Sequence, residues 1–460
     1  MSETLVKIKN VIFKYYFGLL YLLNKDRSIF YKLQIIKNRN SNSQKNLMCQ
    51  ITEIYERNKE HPLAYYEFAN SFLSTDPLNT FKKLELFSKI QDSWETKHDI
   101  KQDRFLPLQQ VLGSIGNYLT VYYYLLYHLN IERGGPKPTL LIKENEKINN
   151  KVIFNLFAPH IKIEKNSYKF FRDRDLIETF QIPLKIGMPF KSHCYPWFIG
   201  INYINQALEK SKKKVFDKLF LYNHQIKTAQ EIGKKIGLAA DDWFVTLHVR
   251  EGTGNFYTNS NPHSYIPAIE HITSKGGKVV RVGDKKMTPL PKIKGLIDYP
   301  FSKFKSELMD VYLAQQSKFC IGTSSGYWTF LTYLGKPVLL TNYLPTLDYF
   351  ILRETDMFLP KTIFKKGESN KSMIEKIFKY PEAYIDTDQQ FENYEIIDNT
   401  DEEILHSVKD MMSRLDGNDD DEFKVLNQKF KSKTENLNNL KSGKLKCFGN
   451  LSKNFLKQNL

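Results

Sequence analysis

The clearest hydrophobic pattern lies between residues 243 and 342, where short apolar runs alternate with segments of helical periodicity. The apolar runs predict strands at WFVTLHV, KVVRV, GLIDY, KFCIG and KPVLLTN. The segments between them predict helices at SYIPAIEHITS, SELMDVYLAQQ and TSSGYWTFLTYLG. This alternation indicates a doubly wound α/β sheet, a fold that binds ligands at the carboxyl ends of its strands.

A second alternation begins at Phe105, where FLPLQQVLGSIGNYL predicts a strand, a glycine loop and a helix. TLLIK, KVIFNLFAPHI and IKIE then predict a strand, a helix and a strand. The loop contains Gly113, Gly116 and Asn117, and free backbone N–H groups at such a helix entrance can bind an anion or a sugar hydroxyl. The same glycines also suit an ordinary tight turn. We therefore name these residues a candidate acceptor-side loop and leave both interpretations open.

These patterns divide the chain into a helical lead-in (1–100), two Rossmann-like domains (101–235 and 236–415) and a Lys/Asn-rich tail (416–460). We predict an α/β fold in which the two doubly wound domains face a cleft, with the acceptor on the first domain and the donor on the second. Thr400 and Glu403 predict a helix start through a capping box. The segment from Lys424 onward is predicted to be a solvated or partly disordered extension whose last residues, GNLSKNFL, are more ordered than its middle.

Composition and charge narrow the possible partners. The chain has 460 residues, 41% of them hydrophobic, which is enough for large cores. Its four cysteines are far apart without a CxxC pair, so they predict neither a zinc site nor a disulfide framework and favour a reduced, cytoplasmic compartment. The net charge of +16 attracts phosphates or anionic lipids and by itself leaves nucleic acid, sugar nucleotide and membrane surface open.

The apolar stretch from Val11 to Leu23 is rich in aromatic residues and flanked by basic ones. It is shorter than the about 20 residues that a bilayer-spanning helix needs. We expect it either to pack as an ordinary N-terminal helix or to lie in the headgroup region on the inner face of a membrane.

Candidate chemistry collects at the predicted strand ends of the second domain. Arg250 and Arg281 can contact phosphate oxygens from successive strands, and Gly283 follows the second of them. The run GTSSG, from Gly322 through Thr323, Ser324 and Ser325 to Gly326, places hydroxyls and backbone N–H groups at a helix start, where they can bind a diphosphate. Such cations and N–H groups can stabilise a nucleoside diphosphate leaving group.

Each of these residues also has a structural alternative. Arg250 can pair with Glu251 or Glu270, and TSSG can be an ordinary helix cap. His248 can orient its neighbours or transfer a proton. Glu251 is a candidate general base.

Three acidic clusters are candidates for binding a divalent ion, but none follows a predicted buried strand beside these basic residues. They are Asp173 with Asp175, Asp386 with Asp388, and Asp419 to Asp421. We therefore expect no metal and no bound cofactor.

The segments WFVTLHVRE, SYIPAIEHIT, VVRVGD, MDVYLAQQSKFCIGTSSGYW and PVLLTN resemble those of bacterial GT-B glycosyltransferases from surface-polysaccharide gene clusters. More distantly, HVRE and GTSSG are similar to the HxR and GxxSS motifs of fucosyltransferases. The resemblance implies a nucleotide-sugar donor, metal independence, and donor diphosphate contacts by Arg250 and by the run from Thr323 to Ser325. Glu251 and Gly252 depart from the fucosyltransferase pattern, so fucose and GDP are not carried over.

These observations predict a glycosyltransferase that moves a sugar from a nucleotide donor to a surface glycan or a lipid-linked acceptor, with a possible anionic membrane contact and no nucleic-acid partner. The alternative is a non-catalytic module that binds nucleotides or polyanions in the same basic cleft.

Overall fold

The structure is a computed structural model of the whole chain, and its described part comprises the following residues. They are 44–60, 64–65, 68, 90, 93, 105–106, 115–127, 139–142, 147–165, 188–190, 193–195, 197–211, 219–252, 256–344, 351–367, 394–418, 420–437, 439–440, 443–444 and 446–460. The predicted membrane-contacting stretch, Val11 to Leu23, lies outside these residues.

Helices and strands alternate through most of the described part. The α-helices are α1 (Gln44–Arg57), α2 (Tyr118–Leu126), α3 (Lys151–Phe157), α4 (Trp197–Ser211), α5 (Asn223–Lys235), α6 (Ile266–Ser274), α7 (Glu307–Gln316), α8 (Gly326–Tyr333), α9 (Asp401–Leu415), α10 (Asp421–Leu437) and α11 (Lys453–Asn459). Short 3₁₀ helices span Ile115–Asn117, Ala158–His160, Phe256–Thr258, Pro262–Tyr265 and Tyr299–Phe301. The Thr400 side chain accepts from Glu403 N at the start of α9 and Glu403 caps Thr400 in return, which confirms the predicted capping box.

The strands are β1 (Phe105–Leu106), β2 (Thr139–Ile142), β3 (Lys162–Lys165), β4 (Met188–Phe190), β5 (His193–Tyr195), β6 (Phe244–His248), β7 (Lys278–Arg281), β8 (Leu296–Asp298), β9 (Cys320–Gly322), β10 (Val338–Tyr343), β11 (Met357–Pro360), β12 (Thr362–Lys365), β13 (Tyr394–Ile397), β14 (Asn439–Leu440), β15 (Gly443–Lys444) and β16 (Asn450–Leu451). The pairs β4–β5, β12–β13 and β14–β15 are antiparallel.

A seven-stranded parallel sheet dominates the second half of the chain, in the order β16-β11-β10-β9-β6-β7-β8. The chain therefore builds outward from β6 to β8, returns to the other side of β6 with β9, and continues outward to β11. This is the strand order of a doubly wound sheet, and the order in which the strands are added reverses between β6 and β9. The prediction of an α/β fold with a doubly wound sheet is confirmed.

Alternate residues of each strand face different helices, as expected for a parallel sheet that is buried on both sides. Val245 and Leu247 of β6 pack in the core beneath α6 and α9, with Ile269 among their neighbours. Phe244 of the same strand belongs to the other core, together with residues of α7 and α8 such as Leu313. The strand sequence is apolar at almost every position because both faces are covered.

The first half contributes a three-stranded parallel sheet in the order β1-β2-β3, with α2 and α3 among its helices. Helix α2 packs directly on α8, and the ring of Tyr122 lies 6.1 Å from that of Tyr333. Tyr333 Oη also donates to Ile115 O at 3.0 Å, so the two halves share one continuous core at this point. The four-part division of the chain stays a prediction.

The described residues of the C-terminal segment are folded, which corrects the expectation of a solvated or partly disordered extension from Lys424 and agrees with the more ordered end expected at GNLSKNFL. Helix α10 covers residues 424–437, and β16 forms the edge strand of the seven-stranded sheet. Leu451 and Leu456 are 0% exposed, and Leu451 N donates to Asn427 Oδ1 at 2.8 Å. The high Lys and Asn content therefore belongs to a helix with one buried face.

Candidate active site

The candidate site lies where the strand order of the large sheet reverses. His248 ends β6 and Gly322 ends β9, and the two residues are register partners in adjacent strands. Helix α8 begins directly beyond β9, with Ser325 as its N-cap. The carboxyl ends of β6 and β9 and the positive end of α8 therefore meet at one place, which is where doubly wound sheets bind ligands.

His248 is held against the first turn of α8. Its Nδ1 lies 3.1 Å from Ser325 Oγ, and its ring stacks on Tyr327 with centroids 5.3 Å apart and planes inclined by 18°. Burial, together with the nearby charge of Arg250, lowers the pKa of His248 from 6.5 to about 4. The imidazole is therefore neutral at physiological pH. Sequence reasoning missed Tyr327, although its place two residues after the N-cap of α8 could have indicated it.

Arg250 projects from the loop that follows β6. Its backbone N donates to Thr323 Oγ1 at 3.0 Å, and its guanidinium Nη1 makes one long hydrogen bond, 3.5 Å, to Ser324 O. Within the described residues the guanidinium has no carboxylate partner, and the side chain is half-buried. The structure therefore does not show the alternative in which Arg250 forms an ion pair with Glu251 or Glu270.

The three hydroxyls of the TSSG run all have protein partners. Thr323 Oγ1 accepts from Arg250 N, Ser324 Oγ accepts from Leu344 N at 3.2 Å, and Ser325 Oγ caps α8 at Tyr327 N. These bonds connect the loop after β9 to the loops after β6 and β10. The hydroxyls thus hold the shape of the strand-end loops, and their predicted contact with a diphosphate stays a prediction.

Arg281 lies on the opposite face of the sheet from His248. Its register partner is Leu247, which faces the core beneath α6 and α9, and its side chain is 0% exposed. This corrects the predicted geometry, in which Arg250 and Arg281 approach one ligand from adjacent strand ends. Paired residues of parallel strands share a face, so Arg281 faces the same side of the sheet as Leu247. His248 is the next residue of the strand and faces the other side, which separates Arg281 from the site at His248.

Two carboxylates neutralise the buried Arg281. Its Nη2 donates to Glu251 Oε1 at 2.6 Å and its Nη1 to Asp298 Oδ1 at 3.3 Å. The second oxygen of Glu251 accepts from Thr288 N at 3.0 Å. Both carboxylate oxygens of Glu251 are therefore engaged, a poor starting arrangement for the predicted general base. The structure places Glu251 in the ion pair that shapes the loop after β7.

The glycines near the site have local structural reasons. Gly283 adopts φ +143°, and an added methyl group would collide with Met287 Sδ. A methyl group added to Gly116 would lie 2.9 Å from Gly326 Cα and 2.9 Å from Thr329 Oγ1. Gly116 and Gly326 thus permit the close approach of the two halves. The structure brings together the predicted acceptor-side and donor-side loops in this way.

The remaining predicted residues are placed as follows. Asn117 lies directly before α2 and Gly322 ends β9, while Gly113 lies outside the described residues. Asp173, Asp175, Asp386, Asp388 and Asp419 also lie outside them. In the described part, no group of three or more His, Cys, Asp or Glu side chains is arranged to hold a metal ion. None of the helices described there is both long and apolar enough to cross a membrane.

Comparisons with known proteins give only remote similarities. No protein-family model matches the chain, and no curated protein does, so the predicted fucosyltransferase resemblance has no support there. The chain is similar in structure to a glycosyl transferase family 9 protein from Veillonella parvula, with 10% identity and a TM-score of 0.36, over 65% of this chain and 95% of that one. It is also similar to the iron-containing dodecameric glycosyltransferase TibC from enterotoxigenic E. coli, with 14% identity and a TM-score of 0.28, over 52% and 58% of the two chains.

At such low TM-scores, neither similarity carries an argument about what this chain does. One prediction nevertheless disagrees with a comparison. We expected no metal, whereas one of the two similar enzymes is described as iron-containing. The prediction of metal independence is wrong on this finding and is not retained.

Proposed function

We propose that this protein is a glycosyltransferase that takes a sugar from a nucleotide-sugar donor and transfers it to a glycan or lipid-linked acceptor. The observation that carries the proposal is the meeting of Arg250 and the start of α8 at the point where the strand order reverses. An arginine that has no carboxylate partner in the described part of the chain and lies beside a helix N-terminus is a favourable place for phosphate.

In this proposal Arg250 binds the donor diphosphate and stabilises the negative charge that develops on it as the glycosidic bond breaks. Its backbone is held by Thr323 and its side chain rests on Ser324 O, so it projects from a fixed loop. Only one of the five guanidinium N–H groups has a partner within the described residues, and that hydrogen bond is long.

We assign His248 a positioning role. An imidazole with a pKa of about 4 is a weak proton acceptor at neutral pH, because proton transfer is most efficient when the pKa lies near the working pH. Its contact with Ser325 and its stacking on Tyr327 instead fix the first turn of α8. The acceptor hydroxyl would then lose its proton to another group.

The first test is binding of nucleoside diphosphates. We expect at least one of UDP, GDP, CDP and dTDP to raise the melting temperature, since a ligand at 100 times its Kd stabilises a protein by about 2.7 kcal/mol. The nucleotide sugars that carry that base are then assayed for donor hydrolysis or transfer. If no nucleotide binds, the proposal fails; binding without any turnover would favour the non-catalytic binding module.

We also propose, from sequence alone, that the segment from Val11 to Leu23 contacts an anionic membrane surface from the cytoplasmic side. Aromatic residues with basic flanks favour the headgroup region, where each Lys or Arg contributes about 1 kcal/mol. We expect co-sedimentation with anionic liposomes at low salt and its loss when residues 1–27 are deleted. A chain that stays in the supernatant at low salt would refute this.

A further inference from the structure

A polar pocket of about 320 Å³ lies beside the candidate site and outside every predicted site residue. Its size is at the lower end of the range for ligand pockets. Its lining residues come from the segments that follow β6 and β11 and from β13 with the residue directly after it, and they are Tyr257, Asn259, Ser260, Asn261, Lys361, Ile396 and Asp398. Ser260 N donates to Arg250 O at 3.1 Å, so one loop connects this pocket to the proposed diphosphate site.

A buried lysine forms one side of the pocket. Lys361 is 2% exposed, and its Nζ donates to Asn259 O at 2.7 Å and to Asp398 Oδ1 at 2.6 Å. These bonds use two of the three N–H groups of the ammonium. Because Asp398 balances the charge of Lys361, the pocket offers paired donors and acceptors and no excess of positive charge. Such a pair suits a neutral polar ligand better than a phosphate.

Two further polar atoms of the pocket are buried without a hydrogen-bond partner in the described part of the chain. They are Asn259 Oδ1 and Ser260 Oγ, and Ser260 is only 7% exposed. The Ser260 hydroxyl lies near that of Tyr265 but makes no hydrogen bond of normal geometry with it. Buried polar atoms are normally paired, so each such atom needs an explanation. Both oxygens are closed off from solvent, so a ligand hydroxyl bonds them once their side chains turn into the pocket.

The backbone around Lys361 is held in place from two sides. Asn342 has φ +49°, the one left-handed conformation of a residue other than glycine in the described part. It exchanges backbone-to-side-chain hydrogen bonds with Asn399, at 2.5 and 2.6 Å. Asn399 Nδ2 also donates to Pro360 O, directly before Lys361. Strained and fully bonded segments of this kind are common at ligand sites.

We propose that this pocket binds the neighbouring hydroxyl groups of a sugar ring, either the transferred sugar or the ribose of the nucleotide donor. A carboxylate, an ammonium, an amide and a hydroxyl can each bond one ring hydroxyl, and the wall formed by Tyr257 and Ile396 gives the ring an apolar face. The identity of the ligand rests on the proposed function. Since Ser260 of the pocket donates its backbone N–H to Arg250 O, we place the pocket and the proposed diphosphate site in one donor site.

The pocket is tested with ligands that carry no phosphate, so that Arg250 does not contribute. Saturation-transfer NMR is recorded for the full-length protein with free glucose, galactose, N-acetylglucosamine and fucose, and with uridine, guanosine, cytidine and thymidine. The 2′-deoxynucleoside of the same base is the matched control for each ribonucleoside, because it differs only in the 2′-hydroxyl. We expect at least one monosaccharide or ribonucleoside to bind. A monosaccharide would identify the sugar source, and a ribonucleoside whose 2′-deoxy counterpart is silent would identify the ribose.

Ser260→Ala and Asp398→Asn should each weaken this binding by about two- to tenfold, the effect of one lost hydrogen bond. The control variant Lys366→Met removes an exposed lysine five positions from Lys361 and should leave the affinity for the phosphate-free ligand unchanged. Ser260→Ala removes one oxygen atom and keeps the chain foldable. The proposal is overturned if no phosphate-free ring binds, or if both pocket variants bind as the parent does. Failure of the nucleoside diphosphates to bind would instead count against the proposed function.

Discussion

Replacing Arg250 by alanine should separate ligand binding from folding. The guanidinium is half-buried and, among the described residues, makes one hydrogen bond, 3.5 Å long, to Ser324 O. Losing this bond should change the free energy of unfolding by no more than about 0.5 kcal/mol, as for most substitutions away from a packed core. Losing a charge-assisted contact to a phosphate costs about 1.5 to 3 kcal/mol, which raises the Kd about 10- to 150-fold.

The assay is calorimetric titration of the nucleoside diphosphate that binds the parent, together with urea unfolding of each variant. Arg281→Ala is the matched control, because it removes an arginine of the same sheet edge that is buried between Glu251 and Asp298. Breaking a buried ion pair costs about 3 to 5 kcal/mol of stability. Arg250→Lys keeps the charge and loses the two-pronged geometry, so its affinity should fall between parent and alanine variant.

The reasoning is refuted if the folded Arg250→Ala variant binds the diphosphate within about twofold of the parent, because a charge-assisted contact is worth more than that. It is also refuted if Arg250→Ala loses as much stability as Arg281→Ala. That result would mean that Arg250 is a structural residue and that its lack of a carboxylate partner has no bearing on ligands.

Three further predictions concern the fold around the site. Gly116→Ala should lower the free energy of unfolding by about 1 to 3 kcal/mol, because the new methyl group overlaps Gly326. The control Gly252→Ala should leave it unchanged, because its methyl group would lie 3.8 Å from the nearest neighbour. Equal denaturation midpoints for the two variants would contradict this prediction. Folding lowers the pKa of His248 from 6.5 to about 4, so the neutral imidazole contributes stability above about pH 6.5, and this stability is lost as the pH falls toward 4. The free energy of unfolding of His248→Gln should therefore vary less with pH across this window than that of the parent. Deleting residues 446–460 removes β16 and α11 with their buried leucines and should abolish cooperative unfolding, whereas a truncated protein of parental stability would argue against a structural role.

The course of the chain was predictable around β6, β9 and β10 because these strands are buried and apolar on both faces and are separated by segments of helical periodicity. The strand from Phe244 to His248 is almost wholly buried, so its apolar run is continuous. The turn after β9 was also predictable, since Ser325 caps α8 as the TSSG run indicates. These are local signals, and local signals can be recognised in a single sequence.

Pairing between distant side chains was not predictable in the same way. Glu251 follows Arg250 in the chain but pairs with Arg281, since the sheet register puts Arg281 on the face that Glu251 reaches. The Lys361 pocket needs three separate segments of the chain, and nothing local in the sequence around Lys361 indicates it. The C-terminal segment looked polar because only one face of α10 is buried, and its edge strand has two residues.

The glycines show why the candidate site joins both halves of the chain. Gly116 was a candidate ligand loop in one half and Gly326 part of a candidate diphosphate loop in the other, yet a methyl group on Gly116 would lie 2.9 Å from Gly326 Cα. Thr329 Oγ1 shares its proton between Gly326 O at 2.8 Å and Gly116 O at 3.2 Å, and the second contact joins the first turn of α8 to the first half. A ligand at the start of α8 would therefore lie next to both halves, and a shift between the halves would move the N–H groups that bind it. We infer that binding at Arg250 and the packing of Gly116 on Gly326 are coupled, so that Gly116→Ala should weaken nucleotide binding as well as folding.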